Sequence, residues 1–131
     1  METTGILESI NHIAERRISH KNKASLLTEL IKSAKGYRWV GLYDITKKEV
    51  INIAWTGPNA PSYPRFPVTK GLTGAVVAAG EAVNVGDVNA DSRYLNALGT
   101  IQVESDKLNA FGRDEQRFLE ECAQAIAPGW K

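Results

Sequence analysis

The chain has 131 residues and 14.3 kDa, 43% of them hydrophobic, a length that suits one domain with a core needing no disulfide or metal to hold it. Sixteen basic residues against fifteen acidic ones leave a net charge of +1, which offers no global field for nucleic acid or an anionic membrane. One cysteine, Cys122, excludes a disulfide framework and a cysteine-rich zinc site, no apolar run reaches the roughly 18 residues of a membrane span, and Met1-Glu2-Thr3-Thr4-Gly5 lacks signal-peptide character, so a cytoplasmic protein is expected.

Two helices are predicted first. Ile6, Leu7, Ile10, Ile13 and Ala14 share one helical face, with Thr3 or Thr4 as the N-cap. Leu26, Leu27, Leu30, Ile31 and Ala34 form a second stripe over 24–34, closed by Gly36 in the usual C′ role. Residues 19–23 are a polar break between them, so 1–20 reads as an N-terminal helix and 21–131 as the body of the domain. Nothing later in the sequence obviously covers the first stripe, which suits either the domain itself or a second copy of the chain. His12 and His20 read as surface residues of this region.

The period then changes to two. Residues 37–45 place Tyr37, Trp39, Gly41, Tyr43 and Ile45 on one side of a strand, and 50–55 return as its antiparallel partner after the polar turn at 46–49. Pro58, Pro61, Pro64 and Pro67 make 56–67 an ordered loop, because each removes a backbone donor. Residues 71–80 read as a short buried helix and 82–85 as a short strand. Residues 87–98 are polar and turn-rich, with a helical turn over 92–98. Residues 100–104 alternate again, with Ile101 and Val103 inward. The last helix, 113–127, uses Phe118, Leu119, Cys122, Ala125 and Ile126 as its core face and ends at Pro128-Gly129. The order implies an α+β fold with an antiparallel sheet.

Four stretches together resemble a known family. They are Trp39-Val40-Gly41-Leu42-Tyr43; Phe66-Pro67-Val68 leading through Lys70 into Gly71-Leu72-Thr73-Gly74; Val85-Gly86-Asp87-Val88 followed by Asp91-Ser92-Arg93-Tyr94; and residues 99–105 with Asn109-Ala110-Phe111. Their order and spacing over 24–127 resemble the GAF domains of signalling proteins and their stand-alone enzyme relatives. The resemblance implies a GAF-like (profilin-like) central antiparallel sheet, helices packed on one face and a loop-covered ligand cavity on the other. Among stand-alone members, the chain is similar to the free methionine-R-sulfoxide reductases. Their chemistry needs one thiolate to attack the sulfoxide and a second to resolve it. The matching positions hold Tyr63, Thr73 and a residue near Ala97, and a threonine hydroxyl replaces neither thiol. A second departure is the apparent loss of a strand before residue 99. The sequence therefore predicts a missing segment between Leu98 and Gly99, the alternative being a reduced sheet.

The candidate ligand-binding residues are Trp39, Tyr43 and Trp55 on the paired strands, and Tyr63 and Phe66 in the proline-rich loop. Thr73, Asp87, Arg93 and Glu104 complete the set. The aromatics have two open readings: pocket lining, where flat rings give a ligand area at low entropy cost, or plain core filling. Tyr63 and Phe66 are either a lid or pins for their loop. Gly71-Leu72-Thr73-Gly74 lacks the spacing of a nucleotide-binding phosphate loop. The resemblance puts Asp87, Asp91 and Arg93 in a loop over the cavity, and puts Glu104 where the reductases hold the substrate's amine, with Gln102 replacing a second acid. No cluster has metal-ligand spacing, no cofactor is expected, and two distant histidines make no nucleophilic triad. Three functions compete: a non-catalytic small-molecule sensor, a sulfoxide-reductase-like enzyme lacking its cysteines, and a dimerisation module with a filled cavity. The first-helix stripe further predicts a homodimer through residues 5–17.

Overall fold

The structure is a computed structural model that describes residues 3–61, 63–68, 83–85, 90–96, 99–105 and 112–130, with 83–85 and 90–96 as backbone. Helix α1 is Thr3–Glu15 and helix α2 is His20–Lys35. Ser19 caps α2 by accepting the Asn22 amide, and Gly36 ends it in the left-handed region at φ 66°, where only glycine sits without strain. The polar break of the sequence is thus a cap.

Six strands follow: β1 Trp39–Ile45, β2 Glu49–Thr56, β3 Arg65–Pro67, β4 Val83–Val85, β5 Ala90–Asn96 and β6 Gly99–Glu104. Helix α3, Arg113–Ile126, and a 3-10 turn, Ala127–Gly129, complete the described elements. The sheet is antiparallel throughout, in the order β3-β2-β1-β6-β5-β4. β1 lies between β2 and β6, as the alternation in 37–45, 50–55 and 100–104 predicts. β1 and β2 slip register between Leu42 and Tyr43, which inserts Ile53 as a bulge.

Two expectations about the sheet are corrected. The proline-rich stretch contains β3, which pairs Val50 with Phe66 and places Pro67 on an edge strand of the sheet. The strand that looked absent is β5, built from the polar run read as turns and a helical turn. It pairs Ser92 with Val83 on one side and with Gln102 on the other, so β4 has its neighbour. Asn96 pairs with Gly99, leaving only two positions between β5 and β6. The Leu98–Gly99 junction lies outside the described residues, as do the predicted helix at 71–80 and the loop at Asp87.

The helices cover one face of the sheet. Val40, Leu42, Ala54, Ile101 and Val103 form a single core with Ile6, Ile10, Leu27, Ile31, Phe118, Leu119, Cys122 and Ile126. α2 and α3 lie on the same face of the sheet, as the resemblance implies, and α1 packs against both. The outer two helices meet near the end of α2. There Lys35 pairs with Glu115 at 3.8 Å and lies 4.8 Å from the Phe118 ring centre, and the Tyr37 hydroxyl donates to Glu115. Ile6 and Ile10 are accordingly buried within the chain, at 2% and 0% exposure. The spare apolar surface from which a dimer through residues 5–17 was expected is taken up by the monomer's own helical layer. His20 also departs from its expected surface role: its Nε2 is 2.8 Å from Asp44 Oδ1 of β1.

Candidate functional site

The opposite face of the sheet collects the alternate residues of the same strands. On β1 these are Trp39, Gly41, Tyr43 and Ile45; their ladder partners are Glu104, Gln102 and Thr100 on β6 and Trp55, Asn52 and Val50 on β2. Trp39, Tyr43 and Val50 form a second buried cluster, with Ile45, Phe66 and Val68 packed against it. The period-two pattern puts the β1 and β6 members on this face, because successive side chains of a strand point to opposite sides, and the bulge at Ile53 returns Trp55 to the side shared by Val50 and Asn52.

Trp39 organises the cluster. Its indole lies along β1 over Gly41, where a Cβ would fall 2.3 Å from Cη2, and its other edge meets Gly57, where a Cβ would fall 2.3 Å from Cδ1. Trp39 Nε1 donates to the Asn59 carbonyl at 3.0 Å, which anchors the plate to the loop after β2. The Tyr43 ring is tilted against Trp39 at 6.5 Å between centres, and Phe66 meets Tyr43 edge-on at 6.0 Å. Burial pushes the Tyr43 phenol up to about 12, hydrogen bonding with Asn52 works against the rise, and the nearby Glu104 carboxylate adds to it. Asn52 sits at the bulge, with its amide donating to the Ala54 carbonyl at 3.1 Å and to the Leu42 carbonyl at 3.5 Å.

Of the nine candidate residues, Trp39, Tyr43 and Phe66 are brought together in the buried cluster of this face, and Glu104 pairs with Trp39 at the first rung of β1. Trp55 shares the face but stays 39% exposed, further along β2. Tyr63 is not part of the cluster: it is 75% exposed in the segment before β3. Arg93 stands within β5 rather than in an overhanging loop, paired with Ile101 of β6. Thr73 and Asp87 lie outside the described residues. Sequence reasoning passed over Asn52, whose signal was a lone amide inside an otherwise apolar strand, and Thr100, a fully buried hydroxyl paired with Tyr43.

The chemistry of this face is that of an aromatic floor with polar margins, Glu104, Gln102, Thr100 and Asn52. Cys122 is on the other side of the sheet, fully buried in the helical core, with burial pushing its thiol well above the usual range and the Glu121 charge adding to that. Among the described residues no group of three or more histidine, cysteine or acidic side chains is placed to hold a metal. Among the same residues no helix is long and apolar enough to cross a membrane.

No family model matches the chain, and no curated protein matches it. Solved structures do. The chain is similar to free methionine-R-sulfoxide reductase from Neisseria meningitidis in complex with its substrate, with a TM-score of 0.86 and 22% identity over 98% of this chain and 87% of that one. It is similar to the GAF domain of a phosphoenolpyruvate-protein phosphotransferase from Acinetobacter, with a TM-score of 0.84 and 14% identity over 97% and 91% of the two chains. The reduced form of the Staphylococcus aureus reductase gives 0.84 and 17% over 99% and 96%. The chain therefore has the GAF fold, shared with both sensor domains and the stand-alone reductases, and carries one cysteine in all.

Proposed function

We propose that the chain is a non-catalytic GAF module that binds a small molecule against the Trp39–Tyr43–Phe66 face and serves as a cytoplasmic sensor or regulatory unit. One observation supports this reading above the others. The sole thiol is sealed in the helical core behind the sheet, so the face that would receive a sulfoxide has no nucleophile of the required kind. What that face does offer is stacking area and hydrogen-bonding margins, the composition of a recognition site. The fold neighbours include a GAF sensor protein from Burkholderia vietnamiensis, which agrees with a sensor role.

The test has two arms. Thioredoxin-coupled NADPH consumption with free methionine-R-sulfoxide is expected to stay at background. Turnover that disappears in Cys122→Ser would overturn the non-catalytic assignment in favour of a reductase-like enzyme. Native mass spectrometry of the purified chain is expected to show a retained small-molecule adduct. A bare polypeptide mass together with a silent assay would favour a purely structural module with a filled cavity.

A further inference from the structure

Trp130 is fully buried, although it follows the Pro128-Gly129 pair that stops α3. Its indole stands on Gly99, the first residue of β6: a Cβ there would fall 2.1 Å from Nε1. The His20 ring packs on the same indole, 4.3 Å between centres. His20 in turn meets Asp44, and Asp44 is the ladder partner of Gly99. Contacts from the segment after α3 thus close a ring around one rung of the β1–β6 ladder. The same segment is held to the helices as well. The Gly129 Cα presses on the Ala14 backbone at the end of α1, and the Gly129 carbonyl accepts Lys23 Nζ at 3.2 Å.

The adjacent rung is Tyr43 with Thr100, and Tyr43 belongs to the aromatic cluster on the opposite face. One peptide step along β1 therefore separates Asp44, the partner of the glycine that receives Trp130, from Tyr43 in the candidate site. Close-packed interiors pass displacement between such neighbours and do not absorb it. The seated arrangement also carries a liability. Trp130 Nε1 and His20 Nδ1 are buried and find no hydrogen-bond partner among the described residues. Release into water would satisfy both, so seating is less favoured than the burial of a whole indole alone would make it. A segment with two such opposed terms is suited to having two states.

We propose that residues 127–130 form a strap whose seating is coupled, through the Asp44–Gly99 rung, to the conformation of the Tyr43 face. Occupancy of that face and seating of Trp130 then bias each other, and by linkage the effect is the same in either direction. The biological use of this coupling rests on the binding role proposed above; the coupling itself is testable without any small molecule.

The experiment uses the full chain with its three tryptophans replaced by 5-fluorotryptophan and read by fluorine NMR. Gly99→Ala removes the seat, and is expected to move the Trp130 resonance to a solvent-exposed position and to displace the Trp39 resonance with it. In the reverse direction, Tyr43→Phe is expected to change the ratio of seated to released Trp130 by at least about fivefold, the lower end of ordinary site-to-site couplings. Trp55→Phe, on the same face but opposite Gly41, is expected to leave that ratio unchanged. Release of Trp130 with Trp39 unmoved, or a Tyr43→Phe chain with an unaltered ratio, would overturn the proposal. If Gly99→Ala loses the fold, seen as collapse of every resonance, Trp130→Phe replaces it, with Trp39 as the readout and the same criteria. Coupling without a retained adduct would keep the strap and sink the binding role; an adduct without coupling would do the reverse.

Discussion

Ile10 is the most direct probe of where α1 belongs. Its side chain is fully buried in the stripe that lies between α2 and α3. Truncation of a buried isoleucine to alanine costs about 2–5 kcal/mol, and the cost rises with the volume that the surroundings leave unfilled. Helices on both sides restrict collapse into the space, which puts Ile10→Ala in the middle of that range, about 3–4 kcal/mol. For a domain of this size each kcal/mol lowers Tm by about 4 °C, so the midpoint should fall by about 12–16 °C. Ile10→Val should lose only about 0.5–1.5 kcal/mol, since it removes one methyl group. Urea unfolding followed by far-UV circular dichroism, at low and high protein concentration, measures both the loss and its origin. A residue buried within one chain gives a midpoint independent of concentration, whereas a residue buried between copies gives one that climbs with it. A loss below about 1 kcal/mol, with a wild-type midpoint that rises with concentration, would refute the intramolecular helical layer.

Gly41→Ala should cost about 1–3 kcal/mol and alter the near-UV spectrum, because the new Cβ would meet the rigid Trp39 ring at 2.3 and 2.6 Å; an unchanged spectrum would mean that the indole is not where the structure places it. Stability should fall as pH rises from about 10 towards about 12. The folded state there still holds the Tyr43 proton that the unfolded chain has given up, so the contribution is complete below the unfolded value and is lost as the folded one is approached. The loss is at most about 2–3 kcal/mol; urea unfolding across that range should show it in the wild type and not in Tyr43→Phe.

The central hairpin and its β6 partner were legible because one face of each strand is apolar and the alternation shows. β5 was not, because Asp91, Ser92, Arg93 and Asn96 give it the composition of a turn, and only the ladder with β4 and β6 makes it a strand. The α1 stripe was read correctly as a buried face, but a stripe does not name what covers it. A third helix between two others and a second copy of the chain demand the same residues. Trp39, Tyr43 and Phe66 came together, with Glu104 opposite Trp39, because the register that pairs the strands also aligns their side chains. The burial of Trp130 had no sequence signal, since its seat is a glycine 31 positions earlier, where a missing side chain is the whole of the recognition.

The two outermost strands of the sheet, β3 and β4, have three residues each. An edge strand exposes unpaired amides and carbonyls on which another molecule can template its own strand, and a long flat edge is where such growth begins. β3 offers little purchase: Pro67 has no amide proton to give, Pro64 precedes it, and Arg65 sets a charge where an incoming strand would lie. The central strands of the sheet, β1 and β6, are already paired on both sides. Aggregation in concentrated solution should therefore follow the rate at which the chain unfolds, and a folded preparation should keep its solubility for as long as it keeps its fold.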